Sequence, residues 1–300
     1  MNQAFHSRVR GILPAIVSPH DGDDCFEPAG FLSVIDSVYA AGVQGLYVCG
    51  GTGEGYLMSL SERRLAAELA VEKSRERGAV IVHVGAQGTR DAAVLAEHAA
   101  RCGADAVASI PPMGRSPDEL VSYYRDIASA SSLPTFVYHI PAVTHTAGEL
   151  GTFLKLLEIP GVAGMKFTDS DLFLLRRVLL ERPEAIIFSG SDELLFAGLS
   201  YGAWGGIGTW YNLFPSVFVR IFQAVQAADW ASARDLQHRF VRFAHCAWSL
   251  GLLECFDAIA RRLGHVKHVF RRPFKPFGDE EGTRALSHLA PLSEELGLML

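Results

Sequence analysis

Short apolar, β-rich runs alternate with helical stretches eight times along this chain, and this alternation constrains the fold more than any other feature. The predicted strands are 11–17, 45–49, 80–84, 105–110, 135–138, 162–166, 185–188 and 204–207. The predicted helices are 28–41, one capped by Ser61, 89–102, 117–130, 147–157, 170–181, 192–200 and 215–227. Connections of a few residues predict parallel strands with right-handed crossovers. Eight such units predict an α/β fold, a (β/α)8 TIM barrel.

The segment that follows the eighth unit is helical in pattern and is broken at Pro273 and Pro276. We predict a barrel catalytic domain over 1–228 and a helical extension of the same domain over 229–300.

Lys166 ends the sixth predicted strand, and active sites of such barrels lie at the C-terminal ends of the strands. Burial disfavours the charged form of an amine, and a neutral lysine can attack a ketone to form a Schiff base. The alternative is a strand-end lysine whose stem packs on apolar surface while its ammonium group stays in water.

Tyr138 ends the fifth predicted strand, so it can face Lys166 across the barrel mouth. A phenol there can relay the protons that imine formation requires. The alternative is an amphipathic side chain at the barrel rim.

A glycine-rich loop, 50–55, follows the second predicted strand. Its glycines let the backbone approach a ligand, its N–H groups can hold an anion, and Thr52 adds a hydroxyl. The loop matches neither GxxxxGK[ST] nor GxGxxG, so we predict a carboxylate and not a nucleotide. The alternative is a tight strand-to-helix turn.

Two acids, Asp192 and Glu193, follow the seventh predicted strand, and no Lys, Arg or His lies between Arg182 and Arg220. Barrels that bind phosphate often use the loops after strands seven and eight, so a phosphorylated substrate is disfavoured here. Acids at this rim suit hydroxyl donors and predict a neutral polyol tail. The alternative is a pair of first-turn acids that complement a helix dipole.

Composition excludes several other classes of function. The net charge is -6, and no basic block interleaves with aromatic residues, so nucleic acid is disfavoured as a partner. No apolar run approaches the roughly 20 residues of a membrane span, and the N-terminus has no signal core. Five widely spaced cysteines without a CxxC pair predict reduced thiols in a cytoplasmic protein.

The histidines show no metal-ligand spacing, so we predict no metal site. His139 and His145 flank a proline loop, and His265 and His268 lie in the C-terminal region.

Four motifs, each at a predicted strand end, occur in order between residues 11 and 277: GGTGE at 50–54, YHIP at 138–141, GMKFT at 164–168 and GSDE at 190–193. In this order they resemble the N-acetylneuraminate lyase / dihydrodipicolinate synthase superfamily of class I aldolases.

This resemblance implies an imine between Lys166 and a 2-keto acid, typically pyruvate, with Tyr138 as the proton relay. It implies that Thr52 and the N–H groups of Gly51 and Thr52 take the carboxylate. No cofactor is required, and a homotetramer is expected.

The runs YHIPAVT, KFTDSDL and GSDE are similar to those of neuraminate lyases. The counterparts there that hold the sugar chain are Thr168, Gly190, Asp192, Glu193 and Thr209. The resemblance therefore implies a lyase that cleaves or condenses a 2-keto sugar acid such as N-acetylneuraminate.

Three places depart from the family pattern. Gly51 stands where Ser or Thr is common, Met113-Gly114-Arg115 replaces a Tyr-Tyr pair, and His145 replaces a glycine. These departures imply one missing carboxylate hydroxyl, an absent or replaced relay and a different preference for the aldehyde.

Two alternative activities stay open: an aldolase or dehydratase for 2-keto-3-deoxy sugar acids, and a sugar-acid-binding homologue without turnover. Dihydrodipicolinate synthase activity is disfavoured, because Val143 stands where those enzymes usually have an arginine.

Overall fold

A central sheet of eight parallel strands organises the protein, which a computed structural model describes over residues 3–145, 148–264 and 266–300. The strands are β1 (Ile12–Pro14), β2 (Gly45–Val48), β3 (Ala79–His83), β4 (Ala106–Ser109), β5 (Thr135–His139), β6 (Val162–Phe167), β7 (Ile186–Ser189) and β8 (Gly205–Gly208). Each strand from β2 to β7 pairs with the next along the chain, and β8 pairs with β1. A bridge between Ala15 and Tyr47 joins β1 to β2. The sheet therefore closes, and the predicted (β/α)8 barrel is confirmed.

Helices surround the barrel and continue beyond it. They are α1 (Gln3–Arg8), α2 (Pro28–Ala40), α3 (Leu60–Lys73), α4 (Thr89–Cys102), α5 (Pro117–Ser131), α6 (Pro141–Thr144), α7 (Leu150–Leu157), α8 (Leu172–Glu181), α9 (Leu195–Ser200), α10 (Pro215–Gln226), α11 (Trp230–Leu250), α12 (Leu252–Arg262) and α13 (Asp279–Glu294). Single-turn helices cover Asp192–Leu194 and Trp210–Asn212.

Most predicted elements agree with the structure to within a few residues. The predicted helix 192–200 is divided into the single turn Asp192–Leu194 and α9. The predicted helix 147–157 begins at Leu150, and its first predicted residue, Ala147, lies outside the described residues. The sequence did not predict α1 or α6.

The barrel interior and the helix-facing layer are two separate apolar clusters. The interior holds inward side chains such as Leu13, Ile81 and Phe188, while the outer cluster holds Met165 and Phe167 among others. All eight strands are buried along their full length, because helices cover the outer face.

Helix α1 closes the end of the barrel opposite the mouth. Phe5 and Val9 join the interior cluster together with Trp204. The indole Nε1 of Trp204 donates to the carbonyl of His6 at 3.0 Å. The N-terminal segment therefore seals the bottom of the barrel and leaves the mouth as the open end.

A β-bulge in β6 determines where the sixth strand points its side chains. Thr135 pairs with Val162, but Phe136 pairs with Gly164, so Ala163 is an extra residue in the ladder. A Cβ atom at Gly164 would overlap the carbonyl oxygen of Ile186, so this position requires glycine. The bulge shifts the side-chain alternation by one residue.

The C-terminal helices anchor the end of β8. The ring of Trp210, directly after β8, lies 5.2 Å from Phe243 on α11 and 5.4 Å from Phe256 on α12 between centroids. Such aromatic contacts fix the strand end against the extension. The division of the chain at 228/229 stays a prediction.

Ser61 does not cap α3, contrary to the sequence prediction. Ser59 is the N-cap: its hydroxyl accepts the N–H of Glu62 at 3.2 Å, and its own N–H donates to Glu62 Oε2 at 2.8 Å. The reason is spacing, because a capping box needs the acid three residues after the cap. Glu62 also accepts the N–H of Phe26 at 2.7 Å, which ties the loop after β1 to α3.

Replacing Ser59 by alanine should lower the free energy of unfolding by about 1 kcal/mol, because the first turn of α3 loses its cap. Urea unfolding measures this loss. The matched control is Ser61→Ala, which should change the free energy by no more than about 0.5 kcal/mol. An equal or larger loss in the control would contradict the assignment.

Candidate active site

Lys166 and Tyr138 meet inside the barrel mouth. They are paired residues on β6 and β5, and Lys166 Nζ donates to the Tyr138 hydroxyl at 3.0 Å. Each residue is only 4% exposed. Met165 and Phe167, on either side of Lys166, belong to the outer cluster, so Lys166 lies on the interior face. The bulge at Ala163 produces this arrangement. An amine and a phenol thus share a buried pocket.

Tyr47 on β2, which was not predicted as a site residue from the sequence, forms a second wall around the amine. Lys166 Nζ lies 4.8 Å from the Tyr47 ring centroid and 4.1 Å from that of Tyr138. Cations are stabilised over aromatic faces at such distances. Burial raises the pKa of the Tyr47 hydroxyl well above its usual range, so Tyr47 stays a neutral phenol. Strand alternation in β2 could have found it.

His83 is a second missed residue, at the end of β3. Its Nε2 accepts the N–H of Ile110 at 3.0 Å, so we assign the proton to Nδ1, which donates to the Cys49 carbonyl at 3.1 Å. Burial holds the pKa of His83 well below its usual range, and the positive charges of Arg63 and Lys166 add to this. His83 is therefore a neutral structural group beside Tyr47 and Tyr138. The rule that active-site residues lie at the C-terminal ends of the strands would have selected His83.

Arg63 puts a buried positive charge beneath the glycine-rich loop. It donates to the carbonyls of Gly85 at 3.0 Å and His83 at 2.8 Å. Among the described residues, no carboxylate forms an ion pair with Arg63 or with Lys166. Arg63 therefore carries a positive charge that no carboxylate of the described residues neutralises, which favours an anionic guest.

The glycine-rich loop has the geometry that an anion site needs. The backbone is left-handed at Cys49 and Glu54, with φ values of 59° and 50°, on either side of the turn. In the part of the chain that the structure describes, no group accepts the N–H of Gly51 or of Thr52. Glu54 anchors the loop, because its Oε2 accepts the N–H of buried Arg271 at 2.7 Å.

Thr52 and Thr209, two predicted site residues, touch at the side of the mouth where β2 and β8 flank β1. Their hydroxyl oxygens lie 2.7 Å apart, although 157 residues separate them in the chain. Thr52 belongs to the loop after β2 and Thr209 follows β8. The structure therefore places Thr209 beside the predicted carboxylate loop.

Thr168 and Gly190 form another contact, at the ends of β6 and β7. The Thr168 hydroxyl is buried and has no hydrogen-bond partner among the described residues. A Cβ atom at Gly190 would overlap that hydroxyl, so glycine makes room for it. An unpartnered buried hydroxyl is costly, and a bound hydroxyl group would satisfy it.

Asp192 is buried at the mouth and accepts the N–H of Trp210 at 2.7 Å through Oδ2. Burial raises the pKa of Asp192 to about 8, and the neighbouring charge of Glu193 adds to this. Burial also raises the pKa of Glu193. Asp192 is therefore mostly protonated at neutral pH and adds little negative charge near Lys166.

Several residues that depart from the pattern of related enzymes are exposed, either in a loop or on α6. Met113 and Val143 are exposed, and Arg115 forms an ion pair with Glu119 at 3.6 Å. His145 ends α6 in a left-handed conformation and is exposed. They belong to the segments that follow β4 and β5.

Within the described ranges, no group of three or more His, Cys, Asp or Glu side chains could hold a metal ion. Of the four histidines considered above, His265 lies outside the described residues. His139 pairs with Asp169 at 3.0 Å, and its ring packs against Phe153 and Phe167 of the outer cluster. None of the described helices is long and apolar enough to cross a membrane.

Replacing Asp192 by asparagine should stabilise the protein increasingly as the pH rises from about 5 to about 8. The pKa of this carboxyl is 3.8 when unfolded and about 8 when folded. In that window unfolding releases a proton, so the stability of the wild type falls with rising pH, whereas asparagine does not titrate. Thermal midpoints across this range measure the difference, and a constant or shrinking gap would contradict the burial argument.

Comparison with known proteins identifies the family. The model of the dihydrodipicolinate synthetase family matches residues 8–290. An N-acetylneuraminate lyase of Rhizobium meliloti (strain 1021) is 33% identical over 287 residues, covering 95% of this chain and 96% of that protein. The crystal structure of N-acetylneuraminate lyase from Mycoplasma synoviae has a TM-score of 0.86 at 29% identity, covering 95% of this chain and 98% of that one. The lyase from Fusobacterium nucleatum, complexed with pyruvate, has a TM-score of 0.88 at 26% identity, covering 98% of both chains. This chain therefore belongs to the dihydrodipicolinate synthetase family.

Proposed function

We propose that this protein is a class I aldolase that cleaves, or condenses, a 2-keto sugar acid such as N-acetylneuraminate, with pyruvate and an aldehyde sugar as the other side of the reaction. The observation that carries the proposal is the buried contact of 3.0 Å between Lys166 Nζ and the Tyr138 hydroxyl. The N-acetylneuraminate lyases to which the chain is similar support the substrate class.

Lys166 supplies the nucleophile. Its neutral amine attacks C2 of the keto acid, and Tyr138 transfers one amine proton to the former carbonyl oxygen and then gives up its own proton to it. That oxygen leaves as water, and Tyr138 is left as a phenolate that can accept the next proton. The product is a protonated imine on Lys166. The rings of Tyr47 and Tyr138 face this nitrogen and stabilise its positive charge.

The protonated imine then draws in the electron pair of the C3–C4 bond. The proton of the C4 hydroxyl passes to the Tyr138 oxygen, the aldehyde leaves, and an enamine remains. Protonation at C3 and addition of water to the imine release pyruvate and restore Lys166. Since the imine is itself the electron sink, the reaction needs no cofactor.

The keto-acid carboxylate binds at the glycine-rich loop in this proposal. The N–H groups of Gly51 and Thr52 and the Thr52 hydroxyl are the donors. The buried charge of Arg63 and the protonated state of Asp192 make this side of the mouth favourable for an anion.

The polyol tail extends towards the ends of β6 and β7. We propose that Thr168, Gly190, Asp192 and Glu193 line this part of the site. The unpartnered Thr168 hydroxyl supports the assignment, because a substrate hydroxyl would complete its hydrogen bonding.

We further propose a cytoplasmic homotetramer that takes small-molecule keto acids. Several large apolar side chains are exposed near the mouth, among them Tyr56, Leu57 and Met113, which favours contacts between copies of the chain. The cysteines among the described residues are free, as expected in a reducing compartment.

Borohydride reduction in the presence of pyruvate should attach pyruvate irreversibly to Lys166, because reduction fixes the imine. Lys166→Arg, which keeps the charge, should give no adduct.

Tyr138→Phe should lower turnover by about 10²- to 10⁴-fold, because the proton relay is lost. Peptide mass analysis and a pyruvate-release assay measure the two effects.

The matched control for this experiment is Lys155→Arg, on the exposed surface of α7, where Lys155 pairs with Asp118. This variant should be labelled like the wild type. An adduct on another lysine, or a Tyr138→Phe variant with full activity, would contradict the mechanism.

Thr168→Val should raise the KM for N-acetylneuraminate by about tenfold, because the tail loses a buried hydrogen-bond partner. The pyruvate concentration for half-maximal borohydride trapping should stay the same. The protein should not be destabilised, because the lost hydroxyl has no partner in the free enzyme. An unchanged KM would remove Thr168 from the tail site.

A further inference from the structure

We propose that Thr209 is a carboxylate ligand of the 2-keto acid and forms, with Thr52, a two-hydroxyl cradle on the side of the mouth where β2 and β8 flank β1. The inference rests on the proposed function and assigns one of its residues a different part of the substrate. Sequence resemblance had placed Thr209 with the sugar chain.

The first support is the contact itself. The two hydroxyl oxygens are 2.7 Å apart, so a single small group can contact both. Thr52 is part of the loop that offers free N–H groups, so any ligand held by that loop lies next to Thr209 as well. The sugar tail leaves the carboxylate on the far side of C2, towards β6 and β7.

The hydroxyls of Thr52 and Thr209 can together donate hydrogen bonds to a ligand. Each hydroxyl has one donor hydrogen, and the bond between them uses one of the two. The other hydrogen is available in the free enzyme. When a carboxylate enters, both hydroxyls can turn and donate, because its oxygens accept up to four hydrogen bonds.

Gly51 explains why a hydroxyl from outside the loop is needed. A Cβ atom built at Gly51 meets no atom within 4 Å, so the loop has empty space where a side chain would fit. The loop itself therefore provides one hydroxyl, from Thr52. Thr209 provides the second from the end of β8, on the other side of β1.

Thr209 is also held rigidly, as a preorganised ligand should be. Its carbonyl accepts Asn212 Nδ2 at 2.8 Å, and the same amide nitrogen donates to the Ala15 carbonyl at 2.8 Å. The next residue, Trp210, donates its N–H to Asp192. Asp192 thereby acts as a positioning residue for Thr209, in addition to facing the tail.

The test compares Thr209→Val, which keeps the shape but loses the hydroxyl, with Thr209→Ser, which keeps the hydroxyl. Borohydride trapping is titrated with pyruvate and with methyl pyruvate, whose ester lacks the anionic carboxylate. Thr209→Val should raise the half-saturating pyruvate concentration by about tenfold and leave that of methyl pyruvate unchanged. Thr209→Ser should stay within about threefold of the wild type for both probes.

A second variant keeps the test independent of folding defects. Gly51→Ser in the Thr209→Val background adds a hydroxyl on the loop side and should recover most of the affinity for pyruvate. Thr283→Val, on the exposed face of α13, is the matched control and should leave trapping unchanged.

The outcomes separate this inference from the proposed function. If Thr209→Val traps pyruvate normally and only the KM for the sugar acid rises, Thr209 is a tail ligand and the inference is overturned. Equal losses with both probes would also overturn it, since they would indicate a general disturbance of the pocket. A wild type that forms no adduct on Lys166 would refute the proposed function itself.

Discussion

One extra residue in β6 decides how the mouth of this barrel is built. The bulge at Ala163 shifts the alternation, so that Lys166 enters the interior in register with Tyr138. Without it, alternation from Ala163 onwards would point Lys166 into the outer layer, where Met165 and Phe167 now pack. The pairing of amine and phenol therefore depends on a local irregularity that Gly164 permits.

The charged groups around the mouth also favour an anionic substrate. Lys166 and Arg63 are buried, and the structure shows no carboxylate paired with either among the described residues. Asp192, whose charge interacts with that of Lys166, has a pKa raised by burial and is largely neutral. A substrate carboxylate thus enters a region where neither Lys166 nor Arg63 is paired with a carboxylate of the protein, and the loop N–H groups orient it.

The sequence predicted the barrel because eight apolar runs with short connections allow few other folds, and the strand-end rule brought Lys166 and Tyr138 together. The spacing between Ser59 and Glu62 indicates a capping box, but Ser61 was predicted as the helix cap instead. The bulge could not be predicted, because β6 is buried on both faces and shows no alternation of polar and apolar residues that a bulge would interrupt. The contact between Thr52 and Thr209 depends on barrel closure and has no local sequence signal.

The most direct measurement for the account is the fate of the carbonyl oxygen of pyruvate. If Lys166 forms an imine, C2 must lose its oxygen to water in every cycle, so pyruvate labelled with ¹⁸O at C2 should lose the label faster with enzyme than in buffer alone. Lys166→Arg should abolish the acceleration. Cleavage of the sugar acid with full retention of its C2 oxygen in the released pyruvate would contradict the imine on Lys166.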